Sequence, residues 1–255
     1  MPTWEPRQYL RFAQERTQPC VDLLNRVSLD SVENAIDLGC GPGNSTEILA
    51  RRFPRASILG LDNSSEMIQR ARRDYPNFSF DIADARTWTS SKPIDLLLSN
   101  AVFHWVEKHE ELFPRLMNQL RPGGALAVQM PHNFDSPVHR LFRQLAGENP
   151  WNRLIVGRDT SACEQAAFYY DVLSPHSQRV DLWETEYMHV LPSSDAIVEW
   201  YKGTGLRPYL DPLPPPQQED FLAECRKRIA PMFPPQKDEN VLFPFRRIFI
   251  VAIRR

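Results

Sequence analysis

The run Ala35-Ile36-Asp37-Leu38-Gly39-Cys40-Gly41-Pro42-Gly43-Asn44 carries the residue types best suited to chemistry in this 255-residue chain. Glycine lets a backbone take positive φ and lets a ligand lie against bare main chain. A short apolar run precedes the three alternate glycines and a helical pattern follows them, so the segment reads as strand, tight loop, helix. The free N–H groups that open such a helix face whatever fills the loop. Nineteen residues past Gly43, the run Ser57-Ile58-Leu59-Gly60-Leu61 reads as a second strand and ends in Asp62. An acid at that point accepts hydrogen bonds from two ribose hydroxyls in doubly wound nucleotide-binding folds. Loop and acid together imply a ligand with a ribose and an anionic or polar tail.

Two familiar phosphate loops do not fit. The dinucleotide fingerprint G-x-G-x-x-G needs a third glycine where Asn44 stands. The P-loop needs G-x-x-x-x-G-K-[ST], and no lysine follows Gly39 at that spacing. The string D-L-G-C-G-P-G-N instead resembles the first motif of the class I S-adenosylmethionine-dependent methyltransferases. The resemblance implies an α/β fold: a doubly wound, mostly parallel seven-stranded sheet with helices on both faces, and a helical cap over the acceptor site. It places Asp37, Gly39, Gly41 and Asn44 by the methionine part of S-adenosyl-L-methionine and Asp62 at the ribose. Asp84, in Ala83-Asp84-Ala85 after a third strand, faces the adenine amino group, as a carboxylate accepts from an exocyclic amine. The same resemblance assigns Arg16, Asn63, Ala85 and Asn100 to the cofactor.

The elements that must position these residues follow a rhythm. After an arm of residues 1–16, Thr17 reads as an N-cap with Pro19 in the first turn of a helix reaching about Arg26. Strand and helix patterns then alternate to about residue 130, which implies a mostly parallel sheet. Asn63 and Glu66 have capping-box spacing ahead of Met67, Ile68 and Ala71. Phe78 to Ile82, Ile94 to Asn100 and Ala125 to Met130 read as strands three to five, with Arg121-Pro122-Gly123-Gly124 as a turn before the fifth. The core is expected over about 17–130, 179–191 and 244–255 of one methyltransferase domain, with cap insertions at about 131–178 and 192–243. In the second insertion Phe221, Leu222, Cys225 and Ile229 form one helical stripe, read as core. Prolines 208, 212, 214–216, 231, 234, 235 and 244 mark breaks between short helices. The last strand, about 245–253, is apolar on both faces.

Composition limits the partners. Thirty basic against 32 acidic residues leave a net charge of −2 and no basic field for nucleic acid. The four cysteines are far apart and form no metal-like pair, so a reduced, cytoplasmic protein without a metal is expected. No apolar run reaches the roughly 18 residues of a membrane span.

At both ends the resemblance narrows to the trans-aconitate 2-methyltransferases. It rests on Trp4-Glu5-Pro6, Tyr9, Phe12, Glu15-Arg16, Val128-Gln129-Met130-Pro131, Thr204-Gly205-Leu206-Arg207-Pro208 and Phe249-Ile250-Val251-Ala252. It implies a monomethyl ester formed on a carboxylate of a small polycarboxylate, trans-aconitate, with the N-terminal segment over the cofactor. An acceptor carboxylate, with a pKa of about 4, is already ionised at neutral pH, so no general base is assigned. Arginine's planar fork suits carboxylates. Arg207, in a turn between helices, and Arg247, at the head of the last strand, are the cationic candidates; Arg246 faces the opposite side from Arg247. Tyr9, Trp105, His132 and Tyr170 complete the acceptor set. The alternatives are a malonyl-carrier-protein O-methyltransferase, a nicotinamide-dependent oxidoreductase and a cofactor-binding protein without turnover.

Overall fold

The computed structural model describes residues 13–155 and 163–255. In chain order the elements are α1 (Ala13–Asn25), β1 (Asn34–Leu38), α2 (Asn44–Arg52), β2 (Ser57–Asp62), α3 (Ser65–Asp74), β3 (Ser79–Ile82), β4 (Ile94–Asn100), α4 (His109–Met117), β5 (Leu120–Pro131), α5 (Pro137–Ala146), α6 (Ala166–Leu173), β6 (Ser177–Leu191), α7 (Ser194–Lys202), α8 (Arg207–Leu210), α9 (Pro215–Ile229) and β7 (Val241–Arg254). The strands form one seven-stranded sheet in the order β3-β2-β1-β4-β5-β7-β6. Strands β1 to β5 pair in parallel, and β7 runs antiparallel to β5. The order reverses between β1 and β4, where open α/β sheets bind ligands beyond the strand carboxyl ends.

Contacts divide the chain into two units. Among the described residues, one takes 14–131, 163–185 and 247–255. Its core packs Ile36, Leu38, Leu97, Leu126, Val128, Ile248 and Ile250 with Phe103, Phe113 and Tyr169. Strands buried on both sides need apolar residues throughout, and β4 (Ile-Asp-Leu-Leu-Leu-Ser-Asn) and β5 meet that need. The helix α6 lies with this unit, although it falls in the stretch expected as cap insertion. The other unit takes residues 132–155 and 186–246 among the described residues. Its core joins Phe142, Trp200, Tyr201, Tyr209, Phe243 and the α9 stripe of Phe221, Leu222, Cys225 and Ile229. Among the described residues no helix is long and apolar enough to cross a membrane.

Three local expectations need correction. Helix α1 already runs at Ala13, so Thr17 lies inside it and Pro19 is an interior proline. Cys20, Leu23 and Leu24 are buried along it, and their packing holds the helix through the lost backbone bond. The cap of α3 is Ser64, not Asn63: its hydroxyl accepts from the Met67 N–H at 3.3 Å. Arg121 to Gly124 do not precede the fifth strand but form an irregularity within it, between the pairs Ile94–Leu120 and Leu96–Ala125.

Asp95 clamps the amino-terminal edge of the sheet. Its Oδ2 accepts the N–H groups of Glu33 and Asn34, both at 2.8 Å, while Oδ1 pairs with Arg121. Burial pushes this carboxyl up, but Arg121 and the two N–H donors outweigh it and hold the pKa below the ordinary value. Asp95→Ala removes charged hydrogen bonds to two part-buried donors, so it should cost about 1.5–3 kcal/mol in urea unfolding. Arg121→Ala removes a half-exposed partner and should cost about 0.2–1 kcal/mol.

Candidate functional site

Strand β1 ends in a carboxylate. Asp37 has no exposed surface, and its Oδ2 accepts from the Ser45 hydroxyl at 2.7 Å and the Thr46 hydroxyl at 2.6 Å, both from the first turn of α2. Its Oδ1 is buried with no hydrogen-bond partner. Burial drives its pKa up from 3.8 to about 6, against the lowering pull of the Thr46 and Ser45 bonds and with a further push from Asp62. A buried charge so poorly compensated is costly, which marks the atom as one awaiting a donor.

The loop after β1 is shaped by its glycines. Gly39 has φ +87°, and a Cβ there would sit 2.2 Å from Val102 Cγ2, so no side chain fits. At Gly41, φ is +53° and a Cβ would meet nothing within 4 Å; the backbone faces open space. Gly43 caps α2 without a side-chain hydrogen bond. The Cys40 thiol between them is buried, and desolvation first, then Asp37 and Asp62, push its pKa far up; it is no nucleophile.

Asp62 closes the loop from β2. Its Oδ2 accepts from Gly41 N and its Oδ1 from Ser64 N, each at 2.9 Å. Burial raises its pKa, and the N–H groups of Ser64, Gly41 and Asn63 work against the rise. A carboxylate offers about four acceptor positions, so room for hydroxyl donors remains. Asn63 is exposed. Asp84 is engaged elsewhere: the Arg86 guanidinium donates to both its oxygens, and that pairing lowers its pKa. Ala85 is buried and its carbonyl accepts from Arg115.

Across the switch point, Asn100 ends β4 with Oδ1 buried and unpartnered. Ala101 follows at φ +58°, a strained value for a residue with a Cβ. It turns the chain so that Val102 lies against Gly39 and the single 3-10 turn Phe103–Trp105 follows. His109 secures that turn. Nε2 faces the Phe103 carbonyl at 2.9 Å and must donate, which leaves Nδ1 to accept from the Tyr169 hydroxyl at 2.9 Å. Trp105 is half-buried, with its ring 4.7 Å from that of His104.

Register ties these groups together. Asp37 pairs with Gly60 and Leu98, and Asn100 with Gln129. Gln129 pairs with Phe249, and Pro131 with Arg247. Side chains two residues apart on a strand share a face, so Asp37, Asp62, Asn100, Gln129 and Arg247 share one face at the carboxyl edge of β1 to β5. Arg247 is buried at 3 % exposure, and its Nη1 lies 3.5 Å from Gln129 Oε1. Gln129, Ser45, Thr46 and His109 were not singled out from sequence; of these only Gln129 left a signal, as the one polar residue in Ala125-Leu126-Ala127-Val128-Gln129-Met130.

The remaining candidates are not gathered there. Tyr170 is exposed on α6, while its neighbour Tyr169 is the buried one. In the other unit, His132 is buried, its backbone N–H donating to the Arg246 carbonyl and its own carbonyl accepting from Arg246 Nε. Arg207, also in that unit, pairs with Asp211 at 3.5 Å. Tyr9 lies outside the described residues, as does the side chain of Arg16.

Comparison with known proteins gives one answer. A family described as "Methyltransferase domain" matches residues 35–124. The chain is 47 % identical over 255 residues to the trans-aconitate 2-methyltransferase of Azoarcus sp. (strain BH72), covering both chains fully. It is 48 % identical over 256 residues to that of Methylobacterium nodulans, covering 100 % of this chain and 99 % of the other. Among solved structures, the YcgJ protein from Bacillus subtilis shares the fold, with TM-score 0.60 and 14 % identity over 93 % of this chain and 99 % of that one.

Asp37 binds its proton more tightly folded than unfolded, so its ionisation takes stability away as the pH rises from about 4 to about 6, and the deficit persists above. Asp37→Asn keeps an acceptor for the two hydroxyls and removes the charge. The variant should be more stable than wild type by about 1–3 kcal/mol at pH 8, with the two converging near pH 4, in urea melts across that range.

Proposed function

Because the chain belongs to the trans-aconitate 2-methyltransferase family, we propose that it moves the methyl group of S-adenosyl-L-methionine to one carboxylate of trans-aconitate and forms a monomethyl ester. Identity near one half along the whole length carries this reading. The nicotinamide alternative finds no support once the chain is placed in a methyltransferase family.

The residues fit the methyl donor. Asp37 Oδ1 is a buried acceptor with no partner, suited to the ammonium of the methionine part, and Asn100 Oδ1 is a second. Asp62 keeps lone pairs for the two ribose hydroxyls. Gly39 and Gly41 leave main chain bare beside them, and the uncapped start of α2, with Asn44 as its first residue, offers N–H groups to the carboxylate of the same donor. Asn63 and Ala85 flank the nucleoside. Asp84 accepts from the adenine amino group once the exposed Arg86 gives up one of its bonds to that carboxylate. Arg16 is assigned to the donor and Tyr9 to the acceptor, as the family resemblance implies.

When bound, the donor supplies an electrophilic methyl carbon: a carboxylate oxygen bonds to it as the carbon–sulfur bond breaks and leaves its electron pair on sulfur. No proton moves, which is why no side chain need act as base. The protein's part is alignment, worth ~7–11 kcal/mol in favourable cases, and removal of water from the acceptor's charge. Arg247 is the acceptor cation in the sheet unit, and Trp105 shields the reacting face. The enzyme acts on a small molecule, without nucleic acid or metal, in the cytoplasm.

A radiolabelled methyl-transfer screen tests the reaction: trans-aconitate should yield a base-labile ester, other di- and tricarboxylates less, and amines and catechols none. Labelled product from amines alone refutes it. Asp62→Ala should raise the Kd for S-adenosylhomocysteine about 10- to 100-fold in calorimetry, as bonds to a charged group are lost. Since Asp37 holds an ammonium only when ionised, that affinity should weaken as the pH falls through about 6 in wild type and stay flat in Asp37→Asn.

A further inference from the structure

Gln129 is fully buried, and its Nε2 has no hydrogen-bond partner. The orientation of its amide is fixed chemically. The neighbour it faces is the Arg247 guanidinium at 3.5 Å, and a guanidinium only donates, so the amide oxygen must be the atom turned toward it. That leaves Nε2, a donor, turned away from Arg247 and without a partner.

Along that face the polarity changes sign. From β2 and β1 come the acceptors Asp62 and Asp37, and from β4 the Asn100 oxygen. The next strand, about 4.8 Å on, brings the Gln129 donor in register with Asn100, and the one after brings the buried Arg247 cation. Acceptors suit a cationic, hydroxyl-bearing methyl donor; an amide N–H beside a guanidinium suits an anion. We infer that Gln129 binds the acceptor: its Nε2 donates to a carboxylate oxygen of the polycarboxylate, beside Arg247 and next along the sheet edge from the methyl donor. This rests on the methyltransferase reading above.

The variant Gln129→Glu separates this role from a merely structural one. Glutamate keeps an oxygen for Arg247, and strengthens that bond, but replaces the outward N–H with an acceptor. If Gln129 only holds Arg247 in place, the acceptor KM stays at the wild-type value. If it binds the acceptor, KM rises about 10- to 100-fold while the Kd for S-adenosylhomocysteine changes less than twofold. Should Gln129→Glu fail to fold, Gln129→Met, close in volume and without polar atoms, is added to Arg247→Met: a Gln129 that binds the acceptor raises KM further, and one that only holds Arg247 adds nothing. Wild-type KM in a folded variant overturns the inference, as does a loss of S-adenosylhomocysteine affinity with KM intact. Wild-type enzyme that methylates no carboxylate overturns the reading and this inference with it; wild-type turnover with a KM that neither Gln129 change moves overturns the inference alone.

Discussion

A carboxylate with no exposure stands near the end of β1, and two hydroxyls from the following helix are what hold it. Much else follows from keeping Asp37 there. Ser45 and Thr46 must arrive on the first turn of α2, so the loop between must be short and must turn sharply. That demand falls on Gly39, whose φ and whose contact with Val102 both forbid a side chain. Val102 in turn reaches the loop because Ala101 accepts a strained backbone after β4. One partly compensated charge thus links β1, α2 and the β4 exit, all in the sheet unit, and leaves one oxygen for a ligand.

The edge residues then divide by what they offer. Acceptors cluster on β1, β2 and β4, and donors on β5 and β7. A transfer between a cationic donor and an anionic acceptor needs that division, and the register supplies it along one face of the sheet. Asp84 is the member whose present bonding differs most from its assigned role, since Arg86 already covers both its oxygens. Its exposed partner makes that engagement easily exchanged.

Much of this was legible because it is local. A strand ending in Asp-Leu-Gly-Cys-Gly, and a second ending in Asp62, are contiguous signals, and apolar runs gave β1 to β5 within a residue or two except at the start of β5. The cap of α3 slipped by one because Asn63 and Ser64 are both good caps; the Ser64 N–H is taken by Asp62, a contact set by the site itself. Position along a helix decided Tyr169 against Tyr170: adjacent residues of like chemistry lie about 100° apart, and one is buried against His109, 60 residues away in sequence. Gln129 entered only within the Val128–Pro131 segment of the resemblance, with no role of its own, because the residue beside it comes from β7. The place of β7 between β5 and β6 was not legible, as no periodicity within a strand tells which neighbour it will take.

That placement has a temporal side. Gln129 and Arg247 are 118 residues apart, and β7 is synthesised after every other strand. As the chain leaves the ribosome, β5 therefore waits with an open edge while more than a hundred residues follow it. Such a sheet acquires the strand beside β5 at a late stage, and during that wait the bare edge is open to pairing with another chain.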